Sequence, residues 1–217
     1  MYLKFRLFSR IVEHKDGMIS ERQVKEREFR REQILKGALS VFKSQGLELT
    51  TMDEIAKKSD FGKSTLYYYF GSKEEIFIEL LDKGWKMIWG SIEPVIHGND
   101  SPKKTFIKSL IIIGELVLEN PVLFEFLFTT PKMMPSIVVE GKATWKNYQN
   151  KMYAVFQGLL EDGMAKGEFP QMRSDLMMRA IGGLFHGLFF LGHGKKPVSE
   201  ETMESFITNF IGKTLDQ

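Results

Sequence analysis

Lys63, Ser64, Tyr67 and Tyr68 stand in one short stretch, KSTLYYYF, at residues 63–70. On a helix, positions i, i+1, i+4 and i+5 share one side. That side would present an ammonium, a hydroxyl and two phenols. The set holds no activated nucleophile and no metal-ligand pair, so its chemistry is recognition. It can hydrogen-bond acceptors, attract one negative charge and lay flat rings against apolar edges. Phosphate oxygens, base edges and thymine methyls in a major groove ask for that combination. Leu66 and Phe70, four residues apart, point the other way and should be buried. Thr65 and Tyr69 flank the apolar stripe and fit either surface. Tyrosines on a helix, taken alone, are more often half-buried packing residues than ligand contacts.

Other chemistry finds little support. There is no cysteine, hence no disulfide framework, thiolate nucleophile or thiolate metal site. The four histidines, His14, His97, His186 and His193, show no H-x-x-x-H spacing. No nucleophile–base pair and no phosphate loop is present, and the Gly-His-Gly at 192–194 is too short to count. No enzyme activity, cofactor or metal is therefore expected. The first residues, MYLKFRLFSR, are interrupted by Lys4, Arg6 and Arg10 and do not form a secretory signal. The longest apolar region, 106–128, is broken by Lys108, Glu115, Glu119 and Glu125, whereas a span needs about 20 predominantly apolar residues. No membrane segment is expected, and the absence of cysteine fits a cytoplasmic location. The net charge of +2 is unevenly spread. Residues 1–75 hold 15 Lys+Arg against 12 Asp+Glu, and residues 76–217 hold 15 against 16. That asymmetry mildly favours a polyanion-binding front end.

The elements that must hold these residues read as helices throughout. Ile34, Leu35, Ala38, Val41 and Phe42 form a stripe of helical period over 26–45, and Gly46 suits its end. Thr51 and Glu54 have capping-box spacing before a short second helix. Asp60 tolerates the left-handed conformation needed in the turn that follows. The third helix is 63–70. Ser72 and Glu75 have the spacing of another capping box, opening a long helix toward Ile96. Ser101–Pro102 and Asn120–Pro121 are helix starts with proline in the first turn. Further helices are expected over 136–165, 174–191 and 199–214, the last with Met203, Phe206, Ile207 and Phe210 on one stripe. No alternating strand pattern of useful length appears. The expected fold class is all-α: an N-terminal extension (1–25), a three-helix helix-turn-helix unit (26–72) and a larger helical body (73–217).

The stretch from Ile34 to Leu81, ILKGALSVFKSQGLELTTMDEIAKKSDFGKSTLYYYFGSKEEIFIELL, resembles the TetR family of transcriptional regulators. The elements A-x-x-x-F then Gly, T-T-x-x-x-I-A and K-x-T-L-Y-x-Y-F-x-x-K-E follow one another at the family's spacing. The resemblance implies a dimer on a palindromic DNA operator, acting as a repressor and released by a small effector. It implies DNA contacts from Thr51, Lys63, Ser64, Thr65, Tyr67, Tyr68, Tyr69 and Lys73. The family usually carries Gly where this chain has Asp60 and a polar cap where it has Gly62, so no operator sequence transfers with the resemblance.

For the body, the resemblance implies a homodimer through helices at about 174–191 and 199–214. Gly182, Gly183 and Gly187 each cost helix stability, about 1 kcal/mol relative to Ala, and close approach of another helix would account for them. A tight contact within the chain would account for them equally. An effector site is expected among Trp89, Phe124, Phe128, Met134, Trp145, Tyr148, Met152, Phe156 and His186. These are types that line adaptable apolar sites, although most such residues also fill ordinary cores. The effector would then be largely apolar or aromatic and act by favouring one of two body conformations. An effector-independent DNA-architecture protein is the alternative. Residues 1–17 read as a short extension, either upstream of a start at Met18 or forming a basic arm.

Overall fold

The computed structural model describes residues 20–129, 144–191 and 199–211. Among these residues all regular structure is helical. The chain runs through α1 (Glu21–Leu49), α2 (Met52–Ser59), α3 (Lys63–Tyr69), α4 (Lys73–Ile96), α5 (Pro102–Glu119), α6 (Pro121–Thr129), α7 (Trp145–Ala165), α8 (Ser174–Phe190) and α9 (Glu200–Ser205). A wider helical turn, Phe206–Ile211, continues α9. The expected segments 136–143 and 212–214 lie outside the described residues, as does the Phe210 side chain.

Local signals explain most boundaries. Thr51 Oγ1 accepts the Glu54 N–H at 3.3 Å, and the Glu54 carboxylate accepts the Thr51 N–H at 2.8 Å. Asp60 closes α2 at φ 60°, ψ 38°. Ser101 and Ser199 cap α5 and α9. Gly46, at φ 78° and ψ 172°, breaks α1 before its last three residues, a conformation in which a Cβ would be strained. Two expectations are corrected. First, α1 starts at Glu21, inside the span assigned to an extension, because Ser20 and Gln23 form a capping box there. Second, the box at Ser72 is half-formed. Its hydroxyl accepts the Glu75 N–H at 3.2 Å, but the Glu75 carboxylate turns to the Gly71 N–H at 2.8 Å. The preceding amide lies within reach of that carboxylate and takes the returning bond.

The N-terminal unit packs α1, α2 and α3 around Ile34, Leu35, Ala38, Ile55, Leu66 and Phe70, all at most 4% exposed. α2 sits close on α1 because Gly37 has no side chain. A Cβ there would lie 2.2 Å from Ser59 Oγ and 3.0 Å from the Ser59 backbone. The unit is fused to the body through α4. Arg31 pairs with both Glu79 carboxylate oxygens, and the neighbouring Glu32 pairs with Lys83. On the other side, Phe42 of α1 meets Phe77 of α4 and Phe126 of α6 at ring separations of 5.5 and 6.3 Å, and Lys43 pairs with Glu125 at 2.5 Å. The core therefore runs without a break from the N-terminal unit through α4 into α5, α6 and α7.

Candidate nucleic-acid interface and an apolar cavity

α3 is seven residues long, and a helix so short has little stability of its own. Tertiary contacts hold it. Leu66 is 0% exposed and Phe70 1%. The Arg31 guanidinium lies 4.2 Å from the Phe70 ring centre and donates to the Tyr69 carbonyl at 3.1 Å. That cation sits at the negative end of the α3 dipole, where it is favourable.

The outward side is the one the sequence indicates. Lys63 and Ser64 are exposed, Tyr67 is 48% exposed and Tyr68 69%. Thr65 is half-buried. Tyr69 is half-buried against the core and meets Tyr68 edge-on, with ring centres 5.2 Å apart, so its ring belongs mainly to the α1 side. Thr51 is exposed at the start of α2, its hydroxyl also 2.8 Å from the Glu54 carboxylate. Together with Lys63, Tyr67, Ser72 and Lys73 it borders an open notch where the N-termini of α2, α3 and α4 converge. Such termini present unpaired N–H groups that suit an anion.

Two cations sit differently from the outward-pointing arrangement expected. Lys63 Nζ lies 2.8 and 3.0 Å from the two carboxylate oxygens of Asp53 in α2. The bond and charge of Asp53 raise the Lys63 pKa. Lys73 Nζ folds back onto the backbone carbonyls of Glu48 and Thr50, at 2.9 and 2.7 Å. Those carbonyls, near the broken end of α1, lack helical partners, and the ammonium satisfies them. Arg31 was not singled out from the sequence; nothing local distinguishes it from the basic residues around it.

The body holds a cavity of about 240 Å³ between α5, α7 and α8. α5 contributes Phe106, Leu110 and Ile113; α7 contributes Met152, Tyr153 and Phe156. α8 contributes Met178, Ile181, Gly182, Phe185, His186 and Phe190, and Phe128 closes one end. Among the described residues the lining carries no Asp, Glu, Lys or Arg. Its polar groups are the Tyr153 phenol, whose pKa is pushed up by burial, and the His186 imidazole. Of the expected effector residues, Phe128, Met152, Phe156 and His186 are brought together here. Trp89, Phe124, Trp145 and Tyr148 are not in the lining. The Trp89 indole N–H is used by Glu93 at 2.9 Å, with Lys151 Nζ 4.0 Å from its ring centre. Phe124 is 0% exposed and packs on Phe128. The Trp145 N–H is accepted by the Asp82 carboxylate, and Tyr148 packs half-buried on the core. Met134 lies outside the described residues.

Residues 34–80 match the family of bacterial regulatory proteins described as the tetR family. Over these residues the N-terminal unit is similar to tetR-family regulatory proteins. The chain is 26% identical over 166 residues to YfiR of Bacillus subtilis strain 168, an uncharacterized HTH-type transcriptional regulator; the alignment covers 66% of this chain and 70% of YfiR. It is also 26% identical over 129 residues to IcaR of Staphylococcus aureus strain Newman, the HTH-type negative regulator of the biofilm operon icaADBC, covering 59% of this chain and 62% of IcaR. Among solved structures the fold is shared with AibR in complex with isovaleryl coenzyme A and operator DNA. There the TM-score is 0.69 at 14% identity, over 84% of this chain and 98% of AibR. The chain has no helix among its described residues long and apolar enough to cross a membrane, and no cluster of three potential metal ligands among them.

Proposed function

We propose that the protein is a repressor that binds a palindromic DNA operator as a homodimer and is released by a small, apolar or aromatic effector. Residues 26–72 act as the DNA-binding unit and 73–217 as the effector and dimerisation unit. The observation that carries this reading is the division of α3: Leu66 and Phe70 are buried while Lys63, Ser64, Tyr67 and Tyr68 face outward. Lys63, Ser64, Tyr67 and Tyr68 enter the major groove. Thr51 and Lys73 meet phosphates at the notch, Lys73 giving up its carbonyl partners or bridging to them. Thr65 and Tyr69 act from the edge. The negative regulator IcaR, a relative, supports repression as the sign of control.

For the dimer, the support is the outer side of α8. Gly183 and Gly187 have nothing within 4 Å of where a Cβ would stand, and neither lines the cavity, as Gly182 does. They are therefore not explained by a tight contact among the described residues of the chain. Leu176, Leu184 and Leu191 are 47%, 37% and 71% exposed along the same helix and its end. Two copies meeting on α8, with α9 alongside, would cover these apolar side chains and use the glycines for close approach. Two-fold symmetry then places the recognition helices on half-sites one helical turn, about 34–36 Å, apart or a multiple of it.

The cavity supports the effector. Its uncharged lining suits a neutral apolar or aromatic molecule bonding to Tyr153 or His186, in contrast to the coenzyme A thioester that AibR holds. Binding acts only through a difference in affinity between two body conformations. α6 is placed to transmit it, since Phe128 borders the cavity while Phe126 and Glu125 contact Phe42 and Lys43 of α1. The test begins with selection of duplexes from a randomised pool and light scattering of the free protein. A dimer that retains palindromic duplexes, and releases them on adding a neutral aromatic compound, is the expected result. A monomer at micromolar concentration, or tight compound binding with unchanged duplex affinity, overturns the corresponding part.

A further inference from the structure

The first ten residues of α1, Glu21–Arg30, are all exposed, and burial begins with Ile34. The tetR-family match begins at residue 34 as well. This chain nevertheless builds a helix for 13 residues upstream, about 20 Å at 1.5 Å per residue. A capping box at Ser20 fixes its start. A helix that buries almost nothing of its own calls for an account of what its side chains meet.

One of them meets the recognition helix. Arg27 lies one turn before Arg31, which anchors α3 through Glu79, Phe70 and the Tyr69 carbonyl. The Arg27 guanidinium stands 5.7 Å from the centre of the Tyr68 ring, and Tyr68 in turn stands edge-on to Tyr69. Arg27, Tyr68 and Tyr69 thus form a stack leading from α1 onto the outward side of α3. Nearby Arg30 is engaged differently, pairing with Glu26 at 2.5 Å.

We propose that Arg27 is a phosphate-contacting residue and that the exposed turns of α1 extend the DNA surface beyond the recognition helix. The proposal rests on the DNA-binding reading above. A guanidinium over a ring still presents its in-plane N–H fork at the edge, the geometry that binds a phosphate bidentately. Its place beside α3, at the level of the exposed Tyr68, suits the strand flanking the groove rather than the base edges within it. The contact should therefore add affinity without adding sequence preference.

The test uses a duplex selected by the wild-type protein from a randomised pool and a scrambled duplex of the same length. Affinity is measured against salt for wild type, Arg27→Ala, Arg27→Lys and Lys63→Ala, with thermal melting of each. Arg27→Ala is expected to flatten the slope of log affinity against log salt by about 0.9, the loss of one phosphate contact. Both duplexes should weaken by a similar factor, with melting unchanged, and Arg27→Lys should keep the slope. An unchanged slope in Arg27→Ala while Lys63→Ala weakens binding overturns the proposal and leaves the DNA reading standing. A loss confined to the selected duplex overturns the phosphate assignment in favour of a base contact. Failure of the wild-type protein to retain any duplex sinks the underlying reading instead.

Discussion

α3 and the body cavity use aromatic side chains in opposite ways. On α3, neighbours only one residue apart in sequence divide between interior and surface, and each tyrosine keeps a hydroxyl for a partner. Around the cavity, rings from four helices line one space, and among the described residues two polar groups stand with them. The outward set on the first is arranged within eight residues by helical period alone, although tertiary contacts hold that helix in place. The second exists only after α5, α6, α7 and α8 have packed, and no short stretch contains it. A recognition surface can thus be preformed and rigid, while an enclosed site depends on how well distant elements fill space.

Substitutions can break this contrast or sharpen it. The largest effect is expected from Leu66→Ala. The residue is 0% exposed at the junction of α1, α2 and α3, so the change should cost about 3–5 kcal/mol. Denaturation would show it, with DNA affinity lost in parallel, whereas the adjacent Tyr67→Phe should lower DNA affinity and leave the denaturation midpoint alone. Next come two phenylalanines one turn apart on α6. Phe124→Ala, at a fully buried position outside the cavity, should cost about 3–5 kcal/mol, and Phe128→Ala, half-buried beside existing space, distinctly less. Equal costs would mean that the cavity is not a pre-existing void. Thr51→Ala should then cost about 1 kcal/mol through the lost cap, measured by urea denaturation.

Smaller effects follow from charge. Asp53→Asn frees Lys63, and the salt dependence of DNA binding should steepen while the melting temperature stays put. Among the described residues, Asp82 is the carboxylate whose burial dominates and raises its pKa, opposed by its bonds to the Thr144 hydroxyl and to the Trp145 and Thr144 amides at the start of α7. A raised folded-state pKa means that the native protein holds the proton longer. The cost of the buried charge is relieved as pH falls through that raised value, and it is fully present above it. Asp82→Asn, which retains the oxygen that accepts the Trp145 N–H, should therefore flatten this small pH dependence of stability without loss of the α7 cap.

What could be read from the sequence tracks the same contrast. Thr51, Asp60, Ser101 and Ser199 act on residues within four positions of themselves, and local spacing was enough to assign them. The orientation of Leu66 against Tyr67 and Tyr68 required only helical period. The start of α1 was missed, although Ser20 and Gln23 carried a capping signature. The run of alternating charges after them has no apolar stripe, so periodicity gave no reason to extend the helix. The sequence indicates an outward direction for Lys63 and Lys73 but not their partners, which lie 10 and 23–25 positions away and come close only through the turns between helices. In the body, the residues expected at an effector site do not all meet in one space. Trp89 and Phe124 face other helices, while Leu110, Ile113 and Met178, aliphatic and thioether side chains with no distinguishing signal, line the space.

The two ion pairs between α1 and α4 have a mechanical consequence. Along α1 the order is Arg31 then Glu32, and the partners on α4 are Glu79 and Lys83, so the signs alternate on both helices. The Glu32–Lys83 pair, on the exposed side, is worth little alone, while Arg31–Glu79 is part-buried and bidentate. Their pattern, however, penalises slippage: sliding one helix past the other by a step brings charge against like charge. The contact behaves as a detent with one favoured register. A force arriving along α4 would then move the N-terminal unit as a whole, keeping the spacing between Arg31, Tyr69 and the outward tyrosines constant.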